Sequence, residues 1–239
     1  IKNCKICSFG MSKTSPDAVL RARKKMHIPK SHPRYESLMA REKIAEGMEH
    51  GIVDRTGLIA HGRGEAFDYL LREKTTTKAK IAIRKAAKLL VRAKHPVISV
   101  NGNVAALVPK EIVQLSKIIP AKLEINIFHT SKKRELKIKN HLIKNGAKEV
   151  LLPQKHSKIK FISSNRKYVN KDGILKADVV FVPLEDGDRA EALIKNKKKV
   201  IVIDLNHLSR SAKKATLAIV DNIIRTLPLL IKEIKHLKN

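Results

Sequence analysis

The chain has 239 residues, with 51 Lys and Arg against 22 Asp and Glu, a formal net charge of +29. Hydrophobic residues make up 43% of it, which excludes a disordered basic tail. Its longest apolar runs, such as residues 200–203, are strand-sized and far short of the roughly 18 residues of a membrane-spanning helix. The charge invites a nucleic-acid reading, yet 37 Lys stand against 14 Arg, with 5 Phe, 3 Tyr and no Trp. Nucleic-acid readers lean on Arg forks and aromatic platforms. A solvated basic surface around a site for anionic small molecules is the stronger reading. No signal-peptide pattern is present, so a cytoplasmic address is expected.

Residues 1–27 are polar, basic and weakly patterned. They read as an extension outside the functional domain, which is expected to span 28–239. Cys4 and Cys7 form a lone CxxC in that leader, without the further ligands a zinc site requires. From Ser31 the pattern turns helical, with Tyr35, Leu38, Met39, Ile44 and Met48 recurring to about Gly51. A glycine-rich segment, 57–65, reads as a connection to a helix starting at Glu65, and a further helix is expected over 75–94. Strands are expected at 96–100, 122–128, 178–184, 200–205 and 217–220. Helices are expected at 109–117, 132–145, 189–196 and 222–237, the first with Pro109 in its opening turn and the second closed by Gly146. Residues 153–173 are the least regular part and carry no functional expectation.

The strands are continuous apolar runs rather than alternating ones, and they alternate with helices. That pattern predicts an α/β fold with a parallel sheet covered on both faces, a Rossmann-like three-layer arrangement preceded by a helical section. Such sheets bind ligands beyond the carboxyl ends of their strands. Those ends carry Asn101-Gly102-Asn103, His129-Thr130, Glu185 to Arg189, Asp204 to Asn206 with Ser209 to Ser211, and Asp221-Asn222. No Walker-type phosphate loop and no GxGxxG after a strand is present, which speaks against a nicotinamide dinucleotide. Gly62-Arg63-Gly64 offers either a backbone approach to a phosphate backed by the Arg63 fork, or a plain turn between helices. His32, His61 and His129 are candidates for phosphate contact or acid–base work. No metal-ligand spacing and no catalytic triad is present, so no metal bound by the protein alone is expected.

Six long segments stand in order: IPKSHPRY at 28–35, AREKI at 40–44, GLIAHGRGEAFDY at 57–69, HPVISVNGNVAAL at 95–107, ADVVFVPLEDGDR at 177–189 and IDLNHLSRS at 203–211. Together they closely resemble the archaeal phosphopantothenate synthetases, the 4-phosphopantoate–β-alanine ligases. The resemblance covers about 28–228. It implies an ATP-dependent ligase of coenzyme A biosynthesis that joins 4-phosphopantoate to β-alanine through an acyl-adenylate, releasing AMP and pyrophosphate. It also implies a homodimer, and Mg²⁺ bridging the phosphates.

Carried over by motif, the resemblance implies ATP contacts at Arg41, Arg63, Asp204, Leu205, Asn206, Arg210, Ser211, Asn222 and Ile223. Further expectations are inferred from chemistry within that frame. Lys30, Ser31, His32 and Arg34 are expected to hold the 4-phosphate, and Asn101, Gly102 and Asn103 to bind the pantoate or the nucleotide. Arg63, Asn103 and His129 are expected to act on the reacting groups, and Asp186 and Asp188 to steer the amine or Mg²⁺. Activating a carboxylate with ATP concentrates negative charge, so positioning and cationic stabilisation replace a nucleophilic side chain.

Overall fold

The structure, a computed structural model, describes residues 28–239. The extension expected over 1–27, with Cys4 and Cys7, lies outside the described residues. A turn through Pro29 and Pro33 leads into α1 (Tyr35–Glu49). There follow α2 (Arg55–Leu70), α3 (Thr77–Val91), β1 (Pro96–Val100), α4 (Gly102–Leu107), α5 (Pro109–Ile118), β2 (Lys122–Ile125) and α6 (Lys132–Lys144). The second half holds β3 (Gln154–Lys158), β4 (Tyr168–Val169), β5 (Val179–Pro183), α7 (Gly187–Lys195), β6 (Lys199–Ile203), α8 (Arg210–Lys214), β7 (Leu217–Ile219) and α9 (Ile223–Lys238). Starts are set locally by side-chain caps: Asp54, Thr76, Asn101, Ser131, Ser209 and Asn222 each accept a backbone N–H of the helix they open. Gly146 ends the α6 connection with φ +94°, a conformation that suits a residue without a Cβ.

Five strands form one wholly parallel sheet in the order β2-β1-β5-β6-β7. The chain moves outward from β1 to β2, then returns to the other side of β1 for β5. This makes a doubly wound, Rossmann-like sheet whose winding reverses between β1 and β5. Alternate strand residues face opposite ways. Ile98, Val100, Phe181, Ile201 and Ile203 pack into the larger core with α1, α3, α4, α5, α6 and α9. Val97, Val180, Val182, Val200 and Val202 pack into a smaller core under α7 and parts of 159–177. Three layers result, as the continuous apolar runs predict.

Three local expectations are corrected. The glycine-rich segment is not a connection: α2 runs straight through it, starting at Arg55 rather than Glu65. Asp54 caps the helix by accepting the Thr56 N–H, and no proline interrupts it, so the roughly 1 kcal/mol cost of each interior glycine does not break it. The backbone amides of Gly62 and Gly64 are therefore inside a helix and cannot cradle a phosphate. The strand expected over 122–128 stops at Ile125, as its partner β1 ends at Val100, whose carbonyl takes one last N–H from Asn126. The irregular 153–173 stretch forms a small antiparallel pair, β3 with β4, and a 3-10 turn at Asn165–Lys167.

Candidate active site

The carboxyl ends of β1 and β5, at the reversal of winding, open onto two joined hollows. The inner one, about 120 Å³, has apolar walls from Ala40, Leu107, Leu205 and Ile223, with His61, Arg63 and Asn222 among its polar groups. The outer cleft, about 490 Å³, is walled by Asn101, Gly102, Phe128, His129, Arg134 and Arg166 among others. Ala60, Arg63, Asn103, Leu184 and Asp186 border both, so they mark the junction. Another hollow of about 480 Å³ lies between α1, α4 and α6, lined by Lys43, His50, Lys137, His141 and Lys144, and it contains none of the expected site residues.

Local geometry explains how the junction is held. The Asn101 side chain caps α4 by accepting the Val104 N–H at 3.0 Å and donates to the Leu184 carbonyl at 2.8 Å, tying the ends of β1 and β5 together. A Cβ at Gly102 would collide with the Ile52 carbonyl oxygen, so only glycine permits this close approach. Asn103 donates to the Gly57 carbonyl at 2.8 Å and so fixes α2 against α4. Arg63 projects from α2 and makes no ion pair among the described residues. His129 lies on the cleft wall with its ring edge-on to Phe128, centroids 5.0 Å apart.

Leu205, Asn222 and Ile223 wall the inner hollow. Asn222 accepts from the Ile224 N–H and donates to Asp68 at 2.8 Å. Asp204 and Asn206 shape the turn instead: Asp204 accepts from the Asn206 N–H and from Ser209 Oγ, and Asn206 accepts from the Leu208 N–H. The Ser211 hydroxyl is buried and donates to the Glu185 carbonyl at 2.6 Å. Arg210 pairs with Glu191 at 2.6 Å, with its side chain 60% exposed. Arg41 pairs with Glu65 at 2.6 Å, 50% exposed. Arg34 is drawn to Glu65 and Glu73, each at 2.8 Å. Lys30, Ser31 and His32 sit in the exposed turn before α1 and line neither hollow.

The electrostatics follow from these pairs. Burial pushes the Glu65 carboxyl up, but Arg41 and then Arg34 more than offset it, and its pKa falls below 4.5. The Arg34 guanidinium holds Glu73 below the same value. Burial lowers His61 below 6.5, so the imidazole is neutral at neutral pH; its Nε2 is buried without a partner among the described residues, at the wall of the inner hollow.

Beneath the strand ends lies a cluster that sequence reasoning missed. Arg166, from the irregular segment, and Arg189 both donate to the buried Glu185, and Arg189 also donates to Ser99 at 2.8 Å. Burial, with mutual repulsion for Arg166, lowers both guanidinium pKa values to about 10. Arg134 was also missed. It donates to the Ile52 and His129 carbonyls at 3.1 and 3.2 Å, bracing both sides of the cleft. Glu185 and Arg189 fall inside the 177–189 motif, so that motif was the available signal for them; Arg166 sits in a stretch without periodicity and had none.

A doubly wound parallel sheet whose reversal point gathers the Asn101 and Asn103 amides, the Arg63 guanidinium and the Asp186 carboxylate defines a Rossmann-like α/β protein. Residues 78–239 match the family described as phosphopantothenate/pantothenate synthetase, and the chain belongs to that family. A relative from Thermococcus kodakarensis, named 4-phosphopantoate--beta-alanine ligase, is 52% identical over 215 residues, covering 90% of this chain and 82% of its own length. Proteins with the same name from Methanosarcina mazei and Methanospirillum hungatei are 50% and 52% identical, covering 88% and 84% of this chain and 83% and 82% of their own.

Proposed function

We propose that the protein is an ATP-dependent ligase of coenzyme A biosynthesis that condenses 4-phosphopantoate with β-alanine. The pantoate carboxylate attacks the α-phosphate of ATP, pyrophosphate leaves, and the amine of β-alanine displaces AMP from the acyl-adenylate. The observation that carries this reading is the junction of the two hollows, where Arg63, unpaired among the described residues, and the Asn103 amide stand between a small inner space and a larger outer cleft. The inner walls suit a nucleotide base beside His61 Nε2 and Asn222, and the outer cleft suits pantoate against Asn101, Gly102 and His129. Arg41 and Arg210 each remain half exposed or more, so incoming phosphates compete with Glu65 and Glu191 for them.

Residues present at the junction are compatible with Mg²⁺. Asp186 and Asp188 border the outer cleft and are carboxylates that could meet an ion carried by the nucleotide phosphates. When bound, the ion neutralises phosphate charge. The residues of the chain orient the carboxylate and stabilise the charge that develops.

The ligase unit is proposed to span 28–239, with 1–27 an extension, and to work in the cytoplasm. No described helix is long and apolar enough to cross a membrane. A homodimer is supported by α2: over its 16 residues only Asp68 is buried, and Leu58, Ile59, Tyr69 and Leu70 are exposed. Leu70→Glu is expected to shift sedimentation from dimer to monomer. The nucleic-acid alternative is not favoured by relatives that carry a ligase name.

Incubating the protein with ATP, Mg²⁺, 4-phosphopantoate and β-alanine tests the reading. AMP and phosphopantothenate are the expected products; ADP in place of AMP, or no product, overturns it.

A further inference from the structure

The reaction just proposed needs a group that receives the amine, and neither the family motifs nor the comparisons assign one. Of the five residues that border both hollows, only Arg63 and Asp186 are charged. Arg63 suits the phosphates, which leaves one carboxylate at the place where the adenylate is both formed and consumed.

Asp186 departs from what its position favours. It is the N-cap residue of α7, with extended φ −77° and ψ 145°, yet its side chain accepts no N–H of that helix. An N-cap Asp normally does. The carboxylate accepts instead from Arg166 Nη1 at 3.0 Å while its side chain stays 58% exposed. The turn that carries it is fixed on several sides. Leu184, a non-glycine, is held at φ +55°, a strained conformation that persists only where surroundings enforce it. Glu185 is locked between Arg166 and Arg189 and accepts the Asp186 N–H at 2.9 Å, while Ser211 holds the Glu185 carbonyl. Asp188, by contrast, borders only the outer cleft and already accepts the Arg189 N–H.

We propose that Asp186 is the catalytic carboxylate that receives the amine of β-alanine at the junction, and that Arg166 is the positioning residue that turns it away from its helix and toward the cleft. The inference rests on the ligase reading. β-Alanine arrives as an ammonium and loses one proton to solvent. Its nitrogen then attacks the acyl carbonyl, the C–N bond forms, and the bond from that carbon to the adenylate oxygen breaks, AMP leaving with the electron pair. The remaining surplus proton on nitrogen, acidified by the attack, passes to Asp186 and then to water.

The experiment compares two nucleophiles on the full chain. AMP release is measured with ATP, Mg²⁺ and 4-phosphopantoate plus either β-alanine or hydroxylamine, which is neutral at neutral pH and whose far less basic nitrogen gives up its surplus proton to water without needing a protein carboxylate. Asp186→Asn is expected to lower the β-alanine rate by about 100-fold or more, the scale of a lost general base, while hydroxamate formation and ATP–pyrophosphate exchange stay near wild type. Asp186→Glu should recover part of the β-alanine rate. Arg166→Lys, which keeps the buried charge beside Glu185, should depress the β-alanine rate more than the hydroxylamine rate; a merely structural role would lower both alike. Equal loss with both nucleophiles in Asp186→Asn, as for a metal ligand or an adenylation residue, overturns the inference, and so does loss with neither. If the wild-type protein releases no AMP with either nucleophile, the ligase reading itself fails and the inference with it.

Discussion

Arg225 gives the sharpest test of what holds the inner hollow together. Its guanidinium meets Asp68 at 2.5 and 3.1 Å and Asp221 at 2.7 Å, and both carboxylates are fully buried. Asn222, on the wall of the hollow, donates to the same Asp68. Arg225→Met keeps the bulk of the side chain but strands two buried negative charges about one vacated site. Breaking a buried pair costs about 3–5 kcal/mol. The Arg225 side chain is 22% exposed, so water reaches the gap and the lower end applies, about 3 kcal/mol. For a chain of this size that is a drop of about 6–12 °C in Tm. Thermal melting followed by circular dichroism measures it, together with the KM for ATP, which should rise because Asn222 loses its anchor's fixed position. Adding Asp68→Asn and Asp221→Asn to Arg225→Met removes the stranded charges and should recover more than half of the loss. A melting point for Arg225→Met within about 2 °C of wild type, or no recovery in the triple variant, refutes the argument.

Other consequences follow from the same geometry. Arg63→Ala should lower kcat/KM by about 2–4 kcal/mol of transition-state stabilisation with the melting point nearly unchanged, because Arg63 has no ion-pair partner among the described residues to strand; steady-state AMP release and a melt check both halves. Glu73 has a folded pKa depressed chiefly by its hydrogen bond from Arg34, so the stability it contributes is present above 4.5 and disappears as pH falls through the folded value. The stability lead of wild type over Glu73→Gln in urea titrations should therefore shrink between about pH 6 and about pH 3, and a lead independent of pH contradicts it. Gly173→Ala would drive a Cβ into the buried Glu124 carboxylate and to 3.0 Å from the Leu151 side chain. Glu124 also accepts the Asn170 and Ile174 N–H groups, so the clash should cost about 1–3 kcal/mol in denaturant unfolding.

Residues 179–183 and 200–203 announce themselves as buried strands because both faces of the sheet are covered and successive side chains must all be apolar, and α9 and α3 announce themselves by their repeat. Caps such as Asn101, Ser209 and Asn222 are equally local, since the donor and acceptor lie within a few residues of one another. Periodicity failed at α2, where glycine content suggested a break and a cap plus packing decided for a helix. The motifs brought Arg63, Asn103, Leu205, Asn222 and Ile223 to attention, and they do line the joined hollows. They could not tell that Lys30, Ser31 and His32 stand off on an exposed turn, or that Asp204 and Asn206 spend their side chains on their own loop.

By itself, then, the sequence determined the element types, the parallel three-layer class and the family, because each depends on local burial or on ordered motifs. Only the tertiary structure decided the strand order that puts β1 beside β5, and with it the meeting of Arg166, Glu185, Asp186 and Arg189 from places up to 23 positions apart in the chain. Hydrophobic pattern records whether a side chain is buried; it carries no information on which buried charge will find which partner. That pairing is set by sheet order and by the low-dielectric interior, where an unpaired charge is too costly to leave.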